Sequence, residues 1–284
     1  MDYYIKINEV ITNYKKNYNL EKNNIIEYIY NNYENDRKYY FGTIINLNNN
    51  LEYTKIFLES LFVNINFNSI IFCFITDLDY DIKKILKDLN FNFNYILVKI
   101  NNKINNPYYL NYYIGNELLK DNTKFMNIIN DDYLIYHNYY ELVKTILRKM
   151  YMDKSILSLY NGSNPNNMTI KDIKIEERKI NIKLYFNNIS LFYDKQLYEI
   201  IFNYCLSTII NNPNNPINQI SKFIRSKNYF IYNTNKSKIF SLKTEISNPQ
   251  FKNDLLKKII IKKKEIINKE KDIKNDDKKQ KENK

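Results

Sequence analysis

Lys124-Phe-Met-Asn-Ile-Ile-Asn-Asp-Asp-Tyr-Leu-Ile-Tyr136 is a short apolar run that stops on two adjacent carboxylates, Asp131 and Asp132, with Asn130 just before them. Its length, its Ile and Phe content and its polar borders read as a buried strand. Carboxylates at the C-terminal end of a strand in an open α/β sheet lie where such sheets bind ligands. Two hard oxygen ligands at that place suit Mg²⁺ or Mn²⁺, which in turn would hold a diphosphate. The same Asn-Asp-Asp is also ordinary turn chemistry, and on these residues alone both readings stand.

Outward from this run, strand and helix patterns alternate. On the N-terminal side, Tyr39–Leu47 reads as a strand and Leu51–Phe62 has the period of an amphipathic helix. Ser69–Thr76 follows as a second buried strand, running into Asp77, Asp79 and Asp81. A helix over Asp81–Leu89, a strand over Tyr95–Ile100 and a helix over Leu110–Lys120 lead to the acidic strand, and Tyr139–Met150 gives a helix after it. Alternation with short connections is the mark of βαβ units and a parallel sheet. From Ser155 onward the pattern turns strand-rich, with strands expected at Ile156–Leu159, Ile180–Phe186 and Ser190–Tyr193 and a helix at Gln196–Ile210. Residues 1–37 are polar with apolar positions at helical spacing, which predicts a helical extension ahead of a domain over 38–250.

Composition bounds the chemistry. Among 284 residues there are 3 Gly, 5 Pro, 2 Cys, 1 His and no Trp, while Asn, Ile, Lys and Tyr dominate. These four have codons made mostly of A and T, so the bias reads as that of an AT-rich genome. The net charge of +12 follows partly from it. Arginine, which recognises phosphate and guanine bidentately, occurs only at Arg37, Arg148, Arg178 and Arg225. Gly42, Gly115 and Gly162 are too far apart for a phosphate loop or a Gly-rich dinucleotide turn. A single histidine, His137, excludes multi-histidine zinc sites. Cys73 and Cys205 have neither zinc nor redox spacing and read as buried thiols of a reducing compartment. No run approaches the roughly 18–20 apolar residues of a membrane span, and the acidic start lacks the layout of a signal peptide. A cytoplasmic protein is the expectation.

The segment 251–284 differs in kind. Lysines outnumber acids through Lys252–Lys284, and Leu255, Leu256, Ile259, Ile260, Ile266, Ile267 and Ile273 give a basic helix an apolar side. Such a Lys-rich, partly disordered helical tail can dock on its own domain, fray in solvent or lie on an anionic membrane surface, which would make the protein peripheral to the membrane. A basic arm with many tyrosines also raises nucleic-acid binding. Against that reading, the 28 Tyr are spread along the whole chain.

The order Phe41–Leu47, Leu51–Phe62, Ser69–Asp77, Tyr95–Ile100, then Gly115-Asn116-Glu-Leu-Leu119 and Phe125–Asp132 resembles the family 2-like glycosyltransferases of the GT-A fold. Ser190–Leu197 is similar to that family's acceptor-side strand and turn, and the resemblance covers most of residues 38–245. It implies a mixed α/β sheet flanked by helices and the transfer of a sugar from a nucleotide-sugar donor. The acceptor would be a glycan, a lipid-linked group or a protein. In that likeness Asp131 and Asp132 hold Mn²⁺ or Mg²⁺ on the diphosphate. Asp77 or Asp79, together with Asn116, Asn130 and Asp131, contact the donor. Asp81, by contrast, reads as the cap of the following helix. Two departures stand out. Where the family carries a general base this chain has amides, in Asn215–Ser221, and Ile239–Lys243 lacks the family's late histidine. Asp194 or Glu199 are the carboxylates left to serve as base. The alternative is a GT-A-like module that binds a nucleotide sugar or glycan without catalysis.

Overall fold

The computed structural model describes residues 2–31, 36–47, 50–64, 69–77, 82–89, 94–101, 107–135, 139–149, 155–158, 169–175, 178–183, 191–209, 216–234 and 239–241, with isolated positions between 254 and 268. Helix α1 (Asp2–Asn23) leads into β1 (Ile25–Asn31), so the first 37 residues give a helix and a strand rather than a helical extension alone. The run Ile25-Ile-Glu-Tyr-Ile-Tyr30 explains the change, because β-branched and aromatic residues suit a half-buried pleated surface. β1 pairs antiparallel with β4 and so belongs to the same sheet as the rest.

The centre of the sheet is formed by β2 (Tyr39–Asn46), β3 (Ile70–Thr76), β4 (Tyr95–Ile100) and β5 (Thr123–Asn130), all parallel where they pair. Every residue of β3 is buried, as expected of a parallel strand covered on both faces. Helices α2 (Leu51–Asn64), α3 (Ile82–Asp88) and α4 (Pro107–Ile114) make the crossovers. α4 continues as a π-helical turn over Gly115–Leu119 before entering β5.

Beyond β5 come the short β6 (Tyr133–Ile135) and α5 (Tyr139–Lys149). There follow β7 (Ser155–Ser158), β8 (Thr169–Ile175), β9 (Arg178–Lys183) and β10 (Leu191–Asp194). The chain then forms α6 (Lys195–Tyr204), which runs on as a π-helical turn over Cys205–Ile209, then α7 (Pro216–Ser226), β11 (Phe230–Thr234) and β12 (Ile239–Ser241). The ten-stranded order is β1-β4-β3-β2-β5-β10-β7-β11-β9-β8, while β12 and β6 make a separate antiparallel pair. A parallel αβ core followed by an antiparallel strand beside the acidic strand gives a GT-A-like mixed sheet flanked by helices.

Two apolar layers hold the sheet between helices. On one face, Phe41, Ile45, Phe125, Ile129 and Phe192 pack with Tyr139, Tyr140 and Val143 of α5 and with Phe57, Leu58 and Leu61 of α2. On the other, Ile44, Cys73, Ile96, Val98, Met126 and Ile128 pack with α4 and α6, over which Tyr14 and Tyr18 of α1 lie. Burial raises both thiols, Cys73 and Cys205, far out of the reactive range. Both cysteines are free and buried, as the sequence led one to expect. In the Lys-rich tail, Asp254, Lys257, Ile260 and Ile261 are helical and exposed, and most of that segment lies outside the described residues.

Candidate functional site

The chain runs from β2 to β3 to β4 on one side of β2 and returns to β5 on the other. The order therefore reverses between β2 and β5, and the crevice outside their C-terminal ends is where an open α/β sheet binds ligands. Asn46 and Asn130 stand opposite each other there, in register, and Asn46 Nδ2 donates to Asn130 Oδ1 at 3.0 Å. Both are half-buried at this edge of the sheet.

At the next residue the chain turns. Asp131 N donates to Asn46 O at 3.1 Å, which ties the bend to β2. The Asp131 side chain has no exposed surface, and its Oδ2 accepts from the Thr54 hydroxyl. Thr54 belongs to the first turn of α2, where Asn50 caps: Tyr53 N donates to Asn50 Oδ1 at 3.1 Å and Thr54 N to Asn50 O at 3.0 Å. Asp132, by contrast, is half-buried. Directly after it, β6 pairs with β12 so that Tyr133 faces Ser241 across the ladder. Ile239–Ser241 thus lies beside the residues that follow the Asp pair.

Asp77 follows the end of β3 and is half-buried, on the same edge of the sheet as Asn46 and Asn130. Asp79 and Asp81 lie outside the described residues, as does His137. Two other expected site residues are not brought to this edge. β10 is antiparallel to β5, and Asp194 pairs in register with Phe125, six residues before Asp131. At about 3.3 Å per residue this is about 20 Å from the Asp pair. There Asp194 caps α6, accepting from Gln196 N at 2.8 Å and Leu197 N at 3.3 Å. Glu199, one turn further on, is 3.1 Å from Lys120 Nζ, next to the start of β5. Both carboxylates thus lie at the opposite end of β5 from Asp131 and Asp132. Asn116 sits in the π-helical turn that leads into β5, with Nδ2 directed at Glu117. Gly115 beside it is required by close approach: a Cβ there would collide with the buried ring and hydroxyl of Tyr198.

The residues that sequence reasoning passed over are Asn46, Asn50 and Thr54. Asn46 is the last residue of an apolar strand and so stood at a readable place. Nothing in the local sequence distinguishes Thr54 from any other buried helix residue.

Among the described residues no group of three or more His, Cys, Asp or Glu side chains converges to form a metal cage. A divalent cation fits this edge only as a partner of one or two carboxylates that takes its remaining ligands from a phosphorylated donor, a mode suited to Mg²⁺ and Mn²⁺.

No family model matches the chain, and no curated protein matches it significantly. Solved structures do. The crystal structure of S. aureus TarS 1–349 is 12% identical with a TM-score of 0.47, over 78% of this chain and 65% of that one. The same protein in complex with UDP is 14% identical with a TM-score of 0.48 over the same shares. The 4-diphosphocytidyl-2C-methyl-D-erythritol synthase from Anaerococcus prevotii is 13% identical with a TM-score of 0.45, over 78% of this chain and 96% of that one. The chain thus spans about two thirds of the TarS structure and almost the whole of the synthase.

Proposed function

We propose that the chain is a glycosyltransferase whose nucleotide-sugar donor lies across the C-terminal ends of β2, β3 and β5. The observation that carries this reading is the bend at Asn130-Asp131-Asp132. It sets a half-buried carboxylate, an amide pair and Asp77 along one edge of the sheet, at the point where strand order reverses. Asp132 would hold Mn²⁺ or Mg²⁺, and Asp77 with the Asn46 and Asn130 amides would contact the nucleoside. A cation bound there would neutralise the charge that develops on a departing diphosphate. The acceptor in this reading is a glycan, a lipid-linked group or a protein, approaching from the side of β6 and β12.

A second reading has its own support. Among the described residues, Asp194 and Glu199 are spent at the opposite end of the sheet, and α7 opens with Pro216-Ile-Asn-Gln, which offers amides where a base would stand. A module that binds a nucleotide sugar without transferring it fits that observation. The basic tail adds a membrane-surface reading; no helix of the described residues is long and apolar enough to cross a membrane.

A thermal-shift screen of nucleoside diphosphates and nucleotide sugars, with and without Mn²⁺, tests the donor site. A ligand that binds only the folded state stabilises it by about 2.7 kcal/mol at a hundredfold excess over its dissociation constant. A Mn²⁺-dependent shift with one nucleotide class is the expected result, and no shift with any of them would refute both readings. Release of free nucleotide diphosphate from the bound nucleotide sugar then separates transferase from binding module.

A further inference from the structure

The two carboxylates of the bend are not equivalent. Asp131 is fully buried and Asp132 is half-buried. The Asp131 backbone is fastened to β2 through Asn46 O, and its carboxylate is fastened to α2 through the Thr54 hydroxyl. The Thr54 hydroxyl also lies 3.1 Å from Asn50 O, in the capped first turn of that helix. The Thr54 hydroxyl therefore lies between two acceptors, Asn50 O at the cap of α2 and the carboxylate of the acidic bend, with a single proton to offer them. A buried carboxyl that loses one hydrogen-bond donor bears a desolvation cost, which it can relieve by turning outward to water.

We propose that Thr54 is a positioning residue that holds Asp131 inward as a strut beneath the bend, so that Asp132 alone faces the donor. This rests on the donor site proposed above. Val at position 54 has nearly the volume of Thr and keeps its branch, so it removes the hydroxyl while sparing the packing. Ser restores the hydroxyl. Asn at position 131 still accepts from Thr54 but cannot serve as an anionic ligand, whereas Asn at position 132 removes the anion presented to the donor.

Two measurements on the full chain decide it. The first is hydrogen exchange at the Asp131, Asp132 and Tyr133 amides without any ligand. Thr54→Val should speed exchange there by roughly tenfold, the scale of one lost hydrogen bond, and Thr54→Ser should restore the wild-type rate. The second is calorimetric affinity, with Mn²⁺, for the strongest binder among UDP, GDP, ADP and CDP. Thr54→Val should weaken it by roughly tenfold or more, on the same scale. Thr54→Ser and Asp131→Asn should stay near wild type, and Asp132→Asn should abolish the Mn²⁺-dependent part. Unchanged exchange in Thr54→Val, or an Asp131→Asn defect as deep as that of Asp132→Asn, overturns the strut. Wild-type protein that binds none of the four overturns the donor site instead, and the exchange result then decides the strut by itself.

Discussion

The two ends of the central sheet carry the same side chains and use them differently. Where β5 begins, Asp194 gives its carboxylate to the first amides of α6 and Glu199 gives its own to Lys120. Where β5 finishes, Asp131 turns inward to Thr54 and Asp132 and Asp77 remain half-buried along the crevice. A carboxylate at the start of α6 is consumed by the helix's first backbone donors, while Asp131 at the end of β5 reaches a side chain of another helix, Thr54 of α2. The chemical type of the residue therefore says less about its role than the direction of the strand that carries it.

The largest expected effect lies at the finishing end. Replacing Asp132 with Asn should abolish Mn²⁺-dependent nucleotide binding while leaving the unfolding midpoint nearly unchanged, as a titration beside a urea melt would read. The same substitution at Asp194 should leave nucleotide binding intact. A binding loss at Asp194 matching that at Asp132 would dissolve the contrast between the two ends.

Gly115→Ala should act on stability alone. Its Cβ has to displace Tyr198, which is fully buried and donates from its hydroxyl to Asn111 O. Overpacking of this kind costs about 1–3 kcal/mol, read as a lower urea midpoint with unchanged nucleotide affinity.

Glu21 sharpens the comparison from a third place. Like Asp131 it is buried, but its Oε2 has no hydrogen-bond partner. Burial pushes its carboxyl up to about 7 from an ordinary 4.5, against a weaker lowering by a hydrogen bond with Asn24. Because the folded value is the raised one, the protonated form stabilises the fold at low pH. That contribution is complete below pH 4.5 and is lost as pH rises to about 7. The loss is about 3 kcal/mol. Urea melts should show it as a falling midpoint across that window, and Glu21→Gln should flatten the curve.

The smaller effects belong to the starting end. Asp194→Ala removes a helix cap and should cost about 1 kcal/mol. Glu199→Gln breaks a partly exposed ion pair and should cost less than about 1 kcal/mol, falling further in salt.

The sequence made the parallel core legible because β2, β3, β4 and β5 are largely buried and so appear as mainly apolar runs bounded by polar residues. The acidic bend was legible for the same reason, since it breaks such a run abruptly. β1 was not, because it alternates weakly at an edge and follows a polar helix of mixed spacing. Beyond β5, where the βαβ alternation stops, strand direction was not legible. β10 reads as a strand ending in Asp, much like β3 or β5, but its antiparallel pairing sends that Asp to the far end of the sheet. Thr54 was invisible because a buried threonine in a helix is ordinary, and only the fold brings it to Asp131.

The most direct test of the donor edge is a crystal of the protein grown with Mn²⁺ and the nucleoside diphosphate that shifts its melting temperature most, with the anomalous scattering of manganese used to locate the cation. The account predicts a single strong peak at the Asp132 carboxylate, beyond the ends of β2 and β5, with the nucleoside over Asn46, Asn130 and Asp77. A peak beside Asp194 and Glu199, or a nucleotide bound away from the β2–β5 crevice, would contradict it.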